Sequence, residues 1–321
     1  MKGFKKIVDY LYSYVVSIFP GGRELKNTLG LLASLAIFLT TAIWFNYEYN
    51  FERGILDREQ NRTLYFIYNM FYYSMPYLFG ALVLSIFKKD WSYWKKGGFW
   101  LVLFVFCFSL SFDSWYKWYS IIDVPRQLEY YNRKMTAKVT RALIYLIPIA
   151  IFYFLKRKKM ESFYGLTTKG FDKSPYLIMM LIMTPLLVWA SFNPEFLRTY
   201  PTYNVGTAEK FLQVSHWVTF LPYEALYALT FLALEVLFRG FLIFEMEKYL
   251  GEKVVIPMVM VYCTLHFGKP MMETVSSIFG GFILGVIALR TRSVYGGVWV
   301  HIFIALGMDL LAFLQEEYLM K

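Results

Sequence analysis

Nine apolar runs leave little freedom in how this chain folds. They fall at about residues 29–46, 64–87, 98–113, 139–155, 175–193, 222–248, 253–267, 271–290 and 294–315. A helix needs roughly 17–25 apolar residues to cross a bilayer, and most of the runs are near that length. A backbone in lipid has no water to bond, so it must satisfy itself, and a helix does so within one segment. The sequence therefore predicts an all-α polytopic membrane protein with about nine transmembrane helices. Hydrophobic residues make up 58% of the chain and charged residues 17%. Soluble domains average about 45–50% and 25%. The 31 Phe and 27 Tyr suit helices whose ends sit among headgroups.

The net charge of +10 does not indicate a nucleic-acid binder. Lys and Arg lie in short segments between apolar runs, as membrane topology requires. Cys107 and Cys263 both fall in apolar runs, so no disulfide framework is expected. Residues 1–27 place Lys2, Lys5 and Lys6 around Tyr10, Leu11, Val15 and Ile18, the pattern of an amphipathic helix on the cytoplasmic face. Pro20-Gly-Gly22 breaks that segment. The Lys and Arg bias, led by Lys156-Arg-Lys-Lys159, favours a multi-pass cell-membrane protein with its N-terminus cytoplasmic. Polar residues 156–174 join an N-terminal transmembrane region, 28–174, to a C-terminal core, 175–321. The first half carries no ionisable group deep in an expected span. The second carries several, and all three histidines, His216, His266 and His301, so chemistry is expected after residue 175.

Glu235 and Arg239 stand one turn apart in an apolar helix, on one face. A bare charge at mid-membrane costs about 2.5–3.5 kcal/mol or more, so such a pair faces the bundle interior. His266 and His301 lie in two other apolar runs. At 1.5 Å per residue from the inner ends, Glu235 and His266 lie about 20 Å deep and His301 about 14 Å. A carboxylate can take a proton from water, and imidazoles can stabilise an oxyanion. The three could also ligate a divalent metal such as zinc, although no H-E-x-x-H is present. The expectation is no cofactor. Gly280-Gly-Phe-Ile-Leu-Gly285 supplies small residues that permit close helix contact, and Gly296-Gly297 opens the last helix.

The order of these elements resembles the CPBP family of intramembrane proteases, which includes the type II CAAX prenyl proteases. That family shows E-E-x-x-x-R, then F-x-x-x-H, then H-x-x-x-N or H-x-x-x-D, on successive helices. Here the motifs read Leu234-Glu235-Val-Leu-Phe-Arg239, Tyr262-Cys-Thr-Leu-His266 and His301-Ile-Phe-Ile-Ala305. The resemblance covers about residues 175–315. It implies a CPBP-like protease core in the C-terminal helices, and an endopeptidase acting on a peptide or membrane-protein substrate among membrane lipids.

Three positions depart from the pattern. Leu234 replaces the usual water-activating Glu, Ala305 replaces the terminal Asn or Asp, and Tyr262 replaces Phe. The candidate catalytic set is Glu235, His266, His301, Arg239 and Glu273. In it Glu235 is the base, or pairs with Arg239 while Glu273 folds back towards His266. His266 orients water and His301 stabilises the oxyanion. Glu224 is expected to be an interfacial charge, and Asp309 shares the face of His301. The competing function is an inactive relative that binds a peptide or lipidated tail or acts as a membrane scaffold. A transporter ranks third, because no matched pair of broken helices is visible.

Overall fold

Every expected apolar run becomes a helix. The computed structural model describes residues 2–18, 25–116, 122–156, 162–169 and 171–315, and among these there is no strand. The break at Pro20-Gly-Gly22 and the basic residues Arg157, Lys158 and Lys159 lie outside the described residues. The α-helices are α1 (Lys2–Ile18), α2 (Leu25–Tyr49), α3 (Arg62–Lys88), α4 (Gly97–Trp115), α5 (Glu129–Leu155), α6 (Ser174–Ala190), α7 (Pro194–Thr199), α8 (Thr207–Leu212), α9 (His216–Glu235), α10 (Phe244–Leu250), α11 (Val255–Thr264), α12 (Met271–Thr291) and α13 (Tyr295–Leu314). Among the described residues, seven helical stretches are long and apolar enough to cross a membrane. Two of the nine expected runs share one of them, the 49-residue stretch His216–Thr264. Gly251, at φ 61°, turns the chain within it. α6 is apolar but shorter.

α9 continues into a π-helical segment, Val236–Ile243, whose eight residues are all buried. This segment packs against α4, α5, α11 and α12. α5 runs along α9, α11 lies between α3 and α12, and α13 packs on α6 and α9. A helix apolar on every side belongs inside a bundle, which is where α11 sits, with all ten residues buried. π-helical turns within α-helices are frequent at functional sites.

α1 is amphipathic as its spacing predicts, and its inner face is used on the protein. Ile7, Tyr14 and Ile18 are buried, and the Tyr14 ring meets Phe282 of α12 edge-on at 5.5 Å. Ion pairs gather at this end of the bundle: Lys156–Glu245, Arg290–Glu252, Arg292–Glu247 and Lys6–Asp172. The hydrogen bond from Lys6 holds the Asp172 carboxyl down at about 2.

The expectation that the first half lacks intramembrane ionisable groups is corrected. Arg141 of α5 pairs with Asp113 of α4 at 2.7 Å, and Tyr145 donates to the same carboxylate at 3.2 Å. Lys138 is buried, with its ammonium 3.6 Å from the centre of the Tyr227 ring. These groups escaped the sequence reading because Asp113, Lys138 and Arg141 stand at the edges of their apolar runs, whereas α5 begins ten residues before its run and carries Lys138 and Arg141 in its interior.

Candidate active site

Glu235 ends α9, and Arg239 follows in the π-helical segment. Arg239 Nη1 lies 2.8 Å from Glu235 Oε1, and neither side chain has any exposed surface. Each charge would be costly alone at this depth, so each is the condition for burying the other. α13 brings His301 to the same carboxylate, with Nδ1 2.6 Å from Glu235 Oε1. Helix α13 can approach so closely because Gly297 stands one turn before His301. A Cβ there would overlap Glu235 Oε2.

This contact sets the orientation of the imidazole. Nδ1 is the ring nitrogen that faces the Glu235 carboxylate, and Nε2 faces away from it. Nε2 and the Tyr262 hydroxyl share a hydrogen bond at 2.6 Å. Tyr262 lies on α11 and is 2% exposed. The Arg239 guanidinium sits 4.2 Å from its ring centre, and Phe238 meets it edge-on at 5.3 Å. Behind the ring, Gly281 of α12 comes so close that a Cβ would be 2.8 Å from Tyr262 Cδ1. The second site histidine, His266, donates from Nδ1 to the Tyr262 carbonyl at 2.9 Å, which leaves its Nε2 as an acceptor. Its ring is 4.7 Å from that of Tyr262. Two imidazoles therefore flank one phenol, that of His301 at its hydroxyl and that of His266 beside its ring.

His266 is not within a helix, as its apolar run implied. α11 ends at Thr264 and His266 lies in the turn that follows. At 1.5 Å per residue α11 is about 15 Å long and α12 about 31 Å, so the chain turns before completing a span. Irregular backbone at that depth must be satisfied by protein. Thr274 donates to the His266 carbonyl, Asn46 to that of Phe267 at 3.0 Å, Tyr47 to that of Lys269 at 2.6 Å, and Arg53 to that of Gly268. Asn46, Tyr47 and Arg53 come from the end of α2 and just beyond it, more than 200 residues away in sequence. The sequence reading missed them because an Asn and a Tyr at a helix end carry no signal of a distant partner. Beside them, burial pushes the Glu52 carboxyl up to about 7, with the Asp57 charge adding to the effect.

The remaining candidates go elsewhere. Glu273 accepts from Tyr200 at 2.8 Å, and Lys269 reaches the same phenol at 3.2 Å. Among the described residues its hydrogen-bonding partner is therefore Tyr200, not a histidine. His216 starts α9 and meets the rings of Trp217 and Phe313 at a tilt, with centroids 4.6 and 5.3 Å away. Asp309 accepts from the backbone N–H of Thr202 at 3.0 Å and from its hydroxyl. Glu224 is corrected from an interfacial to a buried residue, 8% exposed, near Asp309. Leu234 packs with the apolar core, and Ala305 is buried among Tyr203, Phe220, Tyr223 and Tyr227. Among the described residues no cluster of three or more His, Cys, Asp and Glu is arranged to hold a metal ion.

The close approach of α13 has a measurable consequence. Gly297→Ala is expected to destabilise the protein by about 1–3 kcal/mol, because its Cβ must displace the Glu235 carboxylate. Gly280→Ala is the control, since a Cβ at Gly280 meets nothing within 4 Å. Thermal unfolding in detergent micelles reads both. Equal melting temperatures for the two variants would show that the contact between α13 and Glu235 is loose.

Residues 216–307 match the family described as type II CAAX prenyl endopeptidase Rce1-like. The matched segment contains Glu235, Arg239, Tyr262, His266 and His301. No curated protein and no solved structure matches the chain.

Proposed function

Because residues 216–307 belong to the CPBP family of intramembrane proteases, we propose that this multi-pass membrane protein is an endopeptidase whose base is His301. Its substrate is a peptide or membrane protein with a prenylated C-terminal segment. One observation carries the reading, the 2.6 Å contact of His301 Nδ1 with buried Glu235. A carboxylate behind an imidazole fixes its tautomer, aims its second nitrogen, and stabilises the imidazolium that forms when that nitrogen takes a proton. His301 thus does the work that the family assigns to the carboxylate at the position of Leu234. Glu235 is the group that holds it. Arg239 keeps Glu235 ionised, and His266 Nε2 accepts a hydrogen bond from the attacking water. The proposed reaction calls on no metal or other cofactor.

The catalytic unit in this reading is the core 175–321, with the first half supporting the His266 turn. The protein lies in the cell membrane with its N-terminus in the cytoplasm. The basic residues Lys6, Lys156, Lys248, Arg290 and Arg292 at one end of the bundle support that orientation.

The test is cleavage of a quenched fluorescent peptide by the purified protein in liposomes. The peptide ends in a farnesylated cysteine followed by Val-Ile-Met, with reporter and quencher on either side of the prenylated residue. Wild-type protein is expected to release fluorescence steadily with time. A signal no greater than that of protein-free liposomes would sink the reading.

A further inference from the structure

We propose that the Tyr262 hydroxyl is a catalytic residue that carries the proton of the attacking water to His301. This rests on the endopeptidase reading above and adds a group to it. At this position the resemblance calls for Phe, so the hydroxyl is a feature of this chain.

Occupancy of His301 Nε2 is the starting point. It is the nitrogen that must take a proton, and the Tyr262 hydroxyl oxygen already lies 2.6 Å from it. Water reaches Nε2 directly only if the phenol swings away. The ring has little room to swing. Gly281 backs it on one side, Phe238 meets it edge-on, and the Arg239 guanidinium lies over it at 4.2 Å. The short path to Nε2 therefore runs through the phenol oxygen. Arg239 also favours negative charge on that oxygen as it begins to give up its proton. Glu235 Oε1, 2.6 Å from Nδ1 on the far side of the imidazole, favours the positive charge that arrives there. The two ends of the relay are charged to match the transfer.

The step balances. As the water oxygen adds to the scissile carbonyl carbon, one water O–H bond breaks and its proton goes to the phenol oxygen. The phenol O–H breaks and its proton goes to His301 Nε2. The carbonyl π pair moves onto oxygen. The result is a tetrahedral oxyanion, a neutral phenol and an imidazolium beside the Glu235 carboxylate. In the second half the proton returns through the phenol to the amide nitrogen. The C–N bond breaks onto that nitrogen, and the carbonyl re-forms. One water and one amide become one carboxylic acid and one amine.

Tyr262→Phe removes one oxygen and keeps the ring, so its contacts with Arg239, Phe238 and Gly281 persist. On the farnesylated peptide kcat is expected to fall about 100-fold or more, in the range of a lost general acid–base group, with KM little changed. Replacing Tyr262 by 3,5-difluorotyrosine restores turnover and moves the alkaline limb of the kcat profile to lower pH, because the fluorinated phenol is more acidic. A purely structural hydroxyl would not move that limb. Tyr262→Phe retaining more than a third of wild-type kcat overturns the relay, and if His301→Ala is inactive the endopeptidase reading stands. Loss in Tyr262→Phe with an unshifted difluorotyrosine profile also overturns the relay. Wild-type protein that does not cleave the peptide overturns both.

Discussion

Arg239→Met is expected to cost about 3–5 kcal/mol of stability, the range for removing one partner of a buried ion pair. Both side chains of the pair are fully buried, 2.8 Å apart. Methionine keeps most of the aliphatic stem, so the loss is charge and not volume. Without the guanidinium, the Glu235 carboxylate keeps only the His301 imidazole beside it. The stack on Tyr262, at 4.2 Å, goes as well. A desolvated contact of that kind contributes about 2 kcal/mol. The double variant Glu235→Gln/Arg239→Met removes both charges and is expected to recover much of the loss, because no ion is left unpaired. Unfolding in detergent, followed by circular dichroism, measures all three proteins. An Arg239→Met protein within about 1 kcal/mol of wild type would mean that water or lipid headgroups reach Glu235.

Cleavage of the farnesylated peptide should fall about 10²–10⁴-fold in His301→Ala, the span seen when a positioned general base is lost. The fall belongs in kcat, because the imidazole acts on water rather than on the peptide chain. Folding should survive. Arg239 still neutralises Glu235, and His301 is already partly open, with 14% of its side chain exposed. His216→Ala is the matched control. That ring sits at the start of α9 against Trp217 and Phe313, and its removal should leave kcat unchanged. His301→Ala retaining a tenth or more of wild-type kcat would remove His301 from the base position.

The two halves of the site differ in how visible they were beforehand. Glu235 and Arg239 are one turn apart on one chain segment, so spacing alone put them on one face. Expulsion of charge from lipid then put that face inside. His301 stood in an apolar run for the same reason. Tyr262 gave no such signal. A Tyr in an aromatic-rich membrane chain usually anchors a helix end, and only the approach of α13 makes its hydroxyl a partner of Nε2. Glu273 shows the opposite error. Its seven-residue distance from His266 permits a return towards the imidazole, but Tyr200, from a distant connection, holds it instead.

What the chain determined unaided is what a bilayer enforces locally. Apolar runs become helices because each can satisfy its own backbone, and paired charges turn inward because lipid rejects them. Tertiary structure decided everything that depends on one helix meeting another. It stopped α11 at Thr264, because side chains of α2 and α12 could take over the carbonyls of the His266 turn. It let α13 close on Glu235, because Gly297 has no side chain to keep it away. Hydrogen bonds between residues 39 to more than 200 positions apart have no period in the sequence. They exist only once packing has brought both partners to the same place.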